Sequence, residues 1–310
     1  MMKKDTLYLH VGWSKTGTSA IQAQIQAQNA EFLARGILYP QSLQWPDHSH
    51  HPFALAFRNA GVYASDMSPA QAVDKLEAEV EKSDVENVLI SSELSPFYFD
   101  NPRFRQFVGQ NFQQVKVIFT LRCQSELLLS LFNQLVKDPN IRYPSSLFSL
   151  AMNNINWLNY HQTVKRWMDV IGQENVVIVP YGRDVVDRFL GLFNVHYRKA
   201  DASDTTIVNP SVPTRCLSMI QSKARQASNN EEFLAIRDRI ITASKYVDGD
   251  HDKHVLFDVP EQQSFDQYFK HSNQTLAEQF DFDVSLLEKS TYNPVLVLPP
   301  NFNLEACQVA

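Results

Sequence analysis

Four short, nearly unbroken apolar runs, each separated from the next by helical patterning, constrain this chain more than any other feature. They lie at residues 6–11, 88–90, 115–122 and 175–180. Between them, Ile21, Ile25, Phe32 and Leu33 recur at helical spacing over residues 19–33, with Gly36 and Pro40 as the stop. Further helices are predicted over 69–82, 102–112, 125–137, 157–171 and 184–195. Strands with no polar face, alternating with helices, belong to a parallel sheet covered on both sides. The predicted fold class is therefore α/β, a central parallel sheet flanked by helices in three layers.

Beyond residue 200 the pattern loses its rhythm and becomes mostly helical and polar. The expectation is one domain over 1–310, with an α/β core over 1–200 and a mostly helical extension over 201–310 packed on it. With 310 residues, 44% of them hydrophobic, the chain is long enough to bury such a core. Its 34 acidic against 28 basic residues give a net charge of −6, which argues against nucleic acid as a partner, because that binding rests on neutralising phosphates. No apolar stretch approaches the roughly 20 residues of a membrane span, and the run at 7–11, broken by His10, is too short for a signal-peptide core. A cytoplasmic protein is expected. Cys123, Cys216 and Cys307 have neither disulfide nor zinc spacing and read as free thiols.

In parallel sheets, ligands bind where the carboxyl ends of strands meet loops. Residues 12–19, 91–93 and 122–130 all stand at such ends. The first of these, Gly12-Trp-Ser14-Lys15-Thr16-Gly17-Thr18-Ser19, joins a strand to a helix. Its backbone N–H groups and the positive end of the helix dipole converge on one point, which attracts an anion. The glycines permit a tight turn, and the Thr16, Thr18 and Ser19 hydroxyls are candidate donors to phosphate. A nucleoside-triphosphate loop would carry lysine directly after the second glycine. Thr18 stands there instead, and the lysine, Lys15, lies two places before that glycine.

Lys15-Thr-Gly-Thr-Ser19 after a strand resembles the 5′-phosphosulfate loop of sulfotransferases that use 3′-phosphoadenosine-5′-phosphosulfate (PAPS). Arg122 at the end of the third strand, followed by Ser130 in the next helix, resembles that family's 3′-phosphate element; an arginine fork suits phosphate. Residues 158–181 look like the helix and strand that follow in bacterial, carbohydrate-type members, and 272–278 resemble a helix start near their carboxyl end. Gly182 departs from the acidic residue expected after Tyr181, and 200–260 match weakly.

The resemblance implies transfer of a sulfuryl group from PAPS to a hydroxyl or amine of an acceptor, a saccharide, glycolipid or small metabolite, leaving adenosine 3′,5′-bisphosphate. It also implies a P-loop NTPase-like architecture and a reaction that requires no metal. Ser14, Lys15, Thr16, Gly17, Thr18, Ser19, Arg122 and Ser130 would hold the nucleotide, and Lys15 would also act at the leaving phosphate. Glu93, at the end of the second strand, is the candidate base, with His10 and the pair His50 and His51 as rivals; His50 and His51 are also candidate acceptor contacts. Trp13 is a candidate wall for adenine or a core residue, and Asn209 and Ser211 belong to a candidate closing loop. Two other classes stay open: a P-loop nucleotide kinase or other phosphotransferase, and a non-catalytic binder of adenosine 3′,5′-bisphosphate.

Overall fold

The computed structural model describes residues 3–58, 65–197, 212–245, 247 and 254–303. In chain order the elements are β1 (Lys4–His10), α1 (Thr18–Ala27), α2 (Asn29–Ala34), β2 (Ile37–Leu38), α3 (His51–Ala56), α4 (Pro69–Val80), β3 (Asn87–Ser91), α5 (Pro102–Asn111) and β4 (Phe112–Leu121). They continue with α6 (Gln124–Lys137), α7 (Leu147–Asn153), α8 (Tyr160–Ile171), β5 (Val176–Pro180), α9 (Val185–Gly191), α10 (Leu217–Ala224) and α11 (Asn230–Ser244). The last are β6 (His254–Phe257), α12 (Val259–Phe280) and β7 (Val295–Val297).

Two compact units divide the chain. One holds Met1–Arg122, Asn159–Lys199 and Ser272–Leu287; the other holds Cys123–Leu158, Ala200–His271 and Glu288–Ala310. The first unit is built on a five-stranded parallel sheet in the order β2-β3-β1-β4-β5, as the α/β reading expected. Because alternate side chains of a strand face opposite sides, β4 sends Ile118 into a core with Ile21 and Ile25 of α1, Phe32 of α2 and Phe189 of α9. Its neighbour Phe119 meets Trp167 of α8. There, Phe53, Tyr98, Phe104 and Trp167 form an aromatic cluster. Both faces are thus sealed.

The chain runs from β1 to β3 on one side and then crosses to β4 on the other. This reversal places the carboxyl ends of β3, β1 and β4 side by side, at the switch point where such sheets open a crevice.

Two sequence expectations need correction, and two further elements were not foreseen. The helix predicted over 19–33 breaks at Gln28, giving α1 and α2. Ile37–Leu38 adds an edge strand that was not foreseen. The antiparallel pair β6 and β7 interrupts the otherwise helical carboxyl-terminal part. Ser272 lies inside α12, which starts at Val259, so 272–278 are no helix start.

In the second unit, α6, α7, α10 and α11 pack together with the amino-terminal half of α12. The Asp266 carboxylate of α12 accepts hydrogen bonds from Ser125 N (2.9 Å) and Ser125 Oγ (2.6 Å) at the start of α6, and from Tyr292 Oη (3.0 Å). A carboxylate at that position satisfies an orphan amide and complements the helix dipole. Burial, and next the Asp266 charge, push the Cys123 thiol up to about 12, so this cysteine is a poor nucleophile at neutral pH. Cys123 and Cys216 are free and buried; Cys307, Asn209 and Ser211 lie outside the described residues. Among the described residues no helix is long and apolar enough to cross a membrane.

Candidate anion and base site

The loop after β1 stays tied to β4 as far as Trp13, whose N–H donates to Thr120 O (3.3 Å). It then lifts off and turns through Lys15 (φ 70°) and Gly17 (φ 88°), both left-handed. Gly17 is forced by space as well as by conformation, since a Cβ there would sit 2.9 Å from Val185 Cγ1. At Gly12 (φ 30°) a Cβ would meet Thr120 Oγ1 and Thr18 Cγ2, each at 2.9 Å.

Gly17 is also the N-cap of α1. It offers no side-chain cap, and the first turn holds no acidic residue. The first turn of α1 thus supplies neither a side-chain cap nor a carboxylate of its own to its positive end.

Two cations gather at this end. Arg122 follows β4, its Nη1 donates to Lys15 O (3.3 Å) and its guanidinium lies 4.6 Å from the centroid of the Tyr181 ring. Tyr160 Oη donates to Arg122 O (2.6 Å), which fixes the turn beyond the strand. Burial, and then the neighbouring Arg122 guanidinium, hold the Lys15 ammonium below the ordinary lysine range, while the Glu93 carboxylate opposes them. The electrostatics thus link Lys15, Arg122 and Glu93 as one cluster.

Of the other loop residues, Thr16 is fully buried. Its hydroxyl donates to Trp13 O and lies 2.6 Å from Thr120 Oγ1, bracing the loop against β4. Thr18 is buried, Ser14 is half-buried and Ser19 is exposed at the helix start. Trp13 is buried against Phe119 and Tyr160, a core position. Ser130 is half-buried on α6, in the second unit.

Glu93 stands two residues beyond β3. Gln22 Nε2, from α1, donates to Glu93 Oε2 (3.2 Å) and to Ser91 Oγ (3.1 Å). On the other side His51 Nε2 lies 3.7 Å from Glu93 Oε1. Gln22 was not anticipated from the sequence, where it is one of four glutamines between 22 and 28. Gln28 is buried too, but of the four it is Gln22 that reaches Ser91 and Glu93.

The three histidine candidates separate clearly. His10 is buried on β1 with Nδ1 2.8 Å from Ser91 Oγ, and burial pushes its pKa down to about 3. His50 uses both ring nitrogens on the backbone: Nε2 donates to Pro40 O (2.8 Å) and Nδ1 accepts from Ser91 N (3.1 Å). Burial takes it down to about 4. His51 alone of the three adjoins Glu93.

His10 and His50 carry a consequence for stability. Their folded pKa values lie below the unfolded value of 6.5, so between roughly pH 4 and 6.5 the unfolded chain binds more protons and stability rises with pH. The contribution is complete above about pH 6.5 and is lost as pH falls. Two such groups give a slope of up to about 2.7 kcal/mol per pH unit within that window. Urea midpoints at pH 7, 6 and 5 should fall accordingly; an unchanged midpoint would mean that these rings are charged without cost in the fold.

Among the described residues no group of three or more His, Cys, Asp or Glu side chains is placed to hold a metal ion. What fold and site define together is a parallel α/β protein with a left-handed glycine loop opening a helix, and with Lys15, Arg122 and Glu93 near the carboxyl ends of its central strands. No protein-family model matches the chain, and no curated protein matches it. Among solved structures, the chain is similar to mouse sulfotransferase SULT7A1 complexed with PAP, at 12% identity over 90% of this chain and 89% of that one, with a TM-score of 0.39.

Proposed function

We propose that this protein is a sulfotransferase that moves a sulfuryl group from PAPS to a hydroxyl or amine of a saccharide, glycolipid or small metabolite. The observation that carries the reading is the convergence of Lys15 and Arg122 on the uncapped start of α1, with Glu93 beside them. Two cations held together at a positive helix end repel one another, and a bound polyanion relieves that repulsion. The left-handed turn at Lys15 and Gly17 supports a loop that wraps an anion with its backbone.

In this reading the loop Ser14–Ser19 holds the 5′-phosphosulfate through backbone N–H groups and the Thr18 and Ser19 hydroxyls, with Thr16 bracing the turn from below. Arg122 takes the 3′-phosphate. Ser130, on α6 of the second unit, enters through its sequence position after Arg122 alone. Glu93 accepts the proton of the attacking hydroxyl as the acceptor oxygen bonds to sulfur, and Lys15 balances the charge that builds on the phosphate oxygen as the sulfur–oxygen bond breaks. Little covalent chemistry is asked of the protein, so position and charge supply the rate.

Calorimetric titration with adenosine 3′,5′-bisphosphate tests the nucleotide site. Wild type should bind it more tightly than ATP or AMP, and Arg122→Ala should weaken it about 10- to 100-fold, the cost of a charge-assisted phosphate contact. A preference for ATP would turn the reading toward a phosphotransferase. Tight bisphosphate binding without turnover on any acceptor would leave a nucleotide-binding module.

A further inference from the structure

We propose that Gln22 and His51 are positioning residues that clamp the Glu93 carboxylate from two sides, an inference that rests on the reading of Glu93 as the base. Gln22 is 1% exposed, and a buried amide is costly unless its N–H groups are satisfied. Its Nε2 is spent entirely at the end of β3, on Ser91 Oγ and Glu93 Oε2. Thr18 and Gln22 are one turn apart on α1, so the helix whose start forms the anion site also fixes the carboxylate.

The second jaw is built from α3. His51 Nδ1 lies 2.8 Å from Ser92 Oγ, and that hydroxyl oxygen accepts from Leu94 N (3.2 Å). In the Nε2–H tautomer that the clamp requires, the Ser92 hydroxyl donates to Nδ1 and the ring N–H faces Glu93 Oε1, 3.7 Å from Nε2. That separation exceeds a hydrogen bond, and contacts of this kind tighten when a site is occupied. The Trp45 ring meets the His51 ring edge-on, with centroids 5.1 Å apart, and limits its rotation. Each carboxylate oxygen thus has its own keeper, and neither keeper belongs to the phosphate loop itself.

The test uses the full chain with labelled PAPS and follows release of inorganic sulfate, which is transfer to water and needs no known acceptor. Gln22→Leu and His51→Phe should each lower kcat about 10- to 100-fold, as misplacement of a reacting group does. The KM for PAPS and the affinity for adenosine 3′,5′-bisphosphate should stay unchanged. The double variant should lose less than the product of the two single losses, because both act through one carboxylate. His51→Gln, which keeps an N–H donor, should recover most of the rate. Nitrogen-15 spectra of histidine-labelled protein should show His51 as the Nε2–H tautomer and should change in Glu93→Gln. An Nδ1–H tautomer, or a rate loss matched by an equal loss of bisphosphate affinity, would overturn the clamp. Wild type that neither binds the bisphosphate nor releases sulfate would instead sink the sulfotransferase reading, with the spectra still deciding whether the clamp exists.

Discussion

Glu93→Gln is expected to lower the transfer rate by about 10²- to 10⁴-fold, the usual worth of a positioned base, without weakening adenosine 3′,5′-bisphosphate. The substitution is close to isosteric, and the Gln22 amide still has an oxygen to bind. What disappears is the negative charge and the ability to take a proton. The side chain is 14% exposed, buried enough to be held and open enough to reach a substrate. A second effect follows from the electrostatics. Glu93 is the group that raises the Lys15 pKa against burial and Arg122; without it the ammonium is lost at lower pH, and the alkaline limb of the residual activity should move down in pH. Wild-type rates in the variant would place the base elsewhere. His10 is a poor substitute, since a ring driven to about 3 is a weak base.

The parts of this site legible in the sequence are those whose chemistry is local. A strand, a glycine turn and a helix in succession specify a helix start with converging N–H groups because backbone geometry alone creates it, and Lys15 and Arg122 sit within or beside such turns. The same holds for the sheet, since unbroken apolar runs leave few alternatives to burial on both faces. What stayed hidden depends on partners distant in sequence. Gln22 lies among Gln24, Gln26 and Gln28, and only the seating of Ile21 and Ile25 in the core turns it, rather than its neighbours, toward β3. His50 and His51 are adjacent and chemically identical, yet the first is consumed by Pro40 O and Ser91 N while the second adjoins Glu93. The break at Gln28 has no glycine or proline to announce it, and β2, two residues long, is too short for any periodicity to register.

Lys15→Ala should cost about 10²- to 10³-fold in rate, the scale found when one charged or polar group that stabilises a transition state is removed. Lys15 occupies a left-handed position that a side chain other than glycine adopts uncommonly, and its carbonyl is held by the Arg122 guanidinium. The backbone therefore presents the ammonium from the loop, and alanine at the same φ leaves the turn itself in place. Because burial and Arg122 lower the pKa, the ammonium is a better proton donor than a free lysine and more readily balances a leaving phosphate oxygen. The sign of the pH dependence follows: activity that needs the charged form is present below the lowered pKa and is lost as pH rises through it, at a pH under the ordinary lysine value. In Lys15→Ala this alkaline limb should vanish along with the rate. Affinity for adenosine 3′,5′-bisphosphate should fall less than the rate does if Lys15 acts as proposed, because the charge it would balance develops fully only as the sulfuryl group departs. Rate and affinity measured side by side on this variant decide the matter: equal losses would make Lys15 a simple anchor for the nucleotide, and a rate loss well beyond the affinity loss would place it at the bond that breaks.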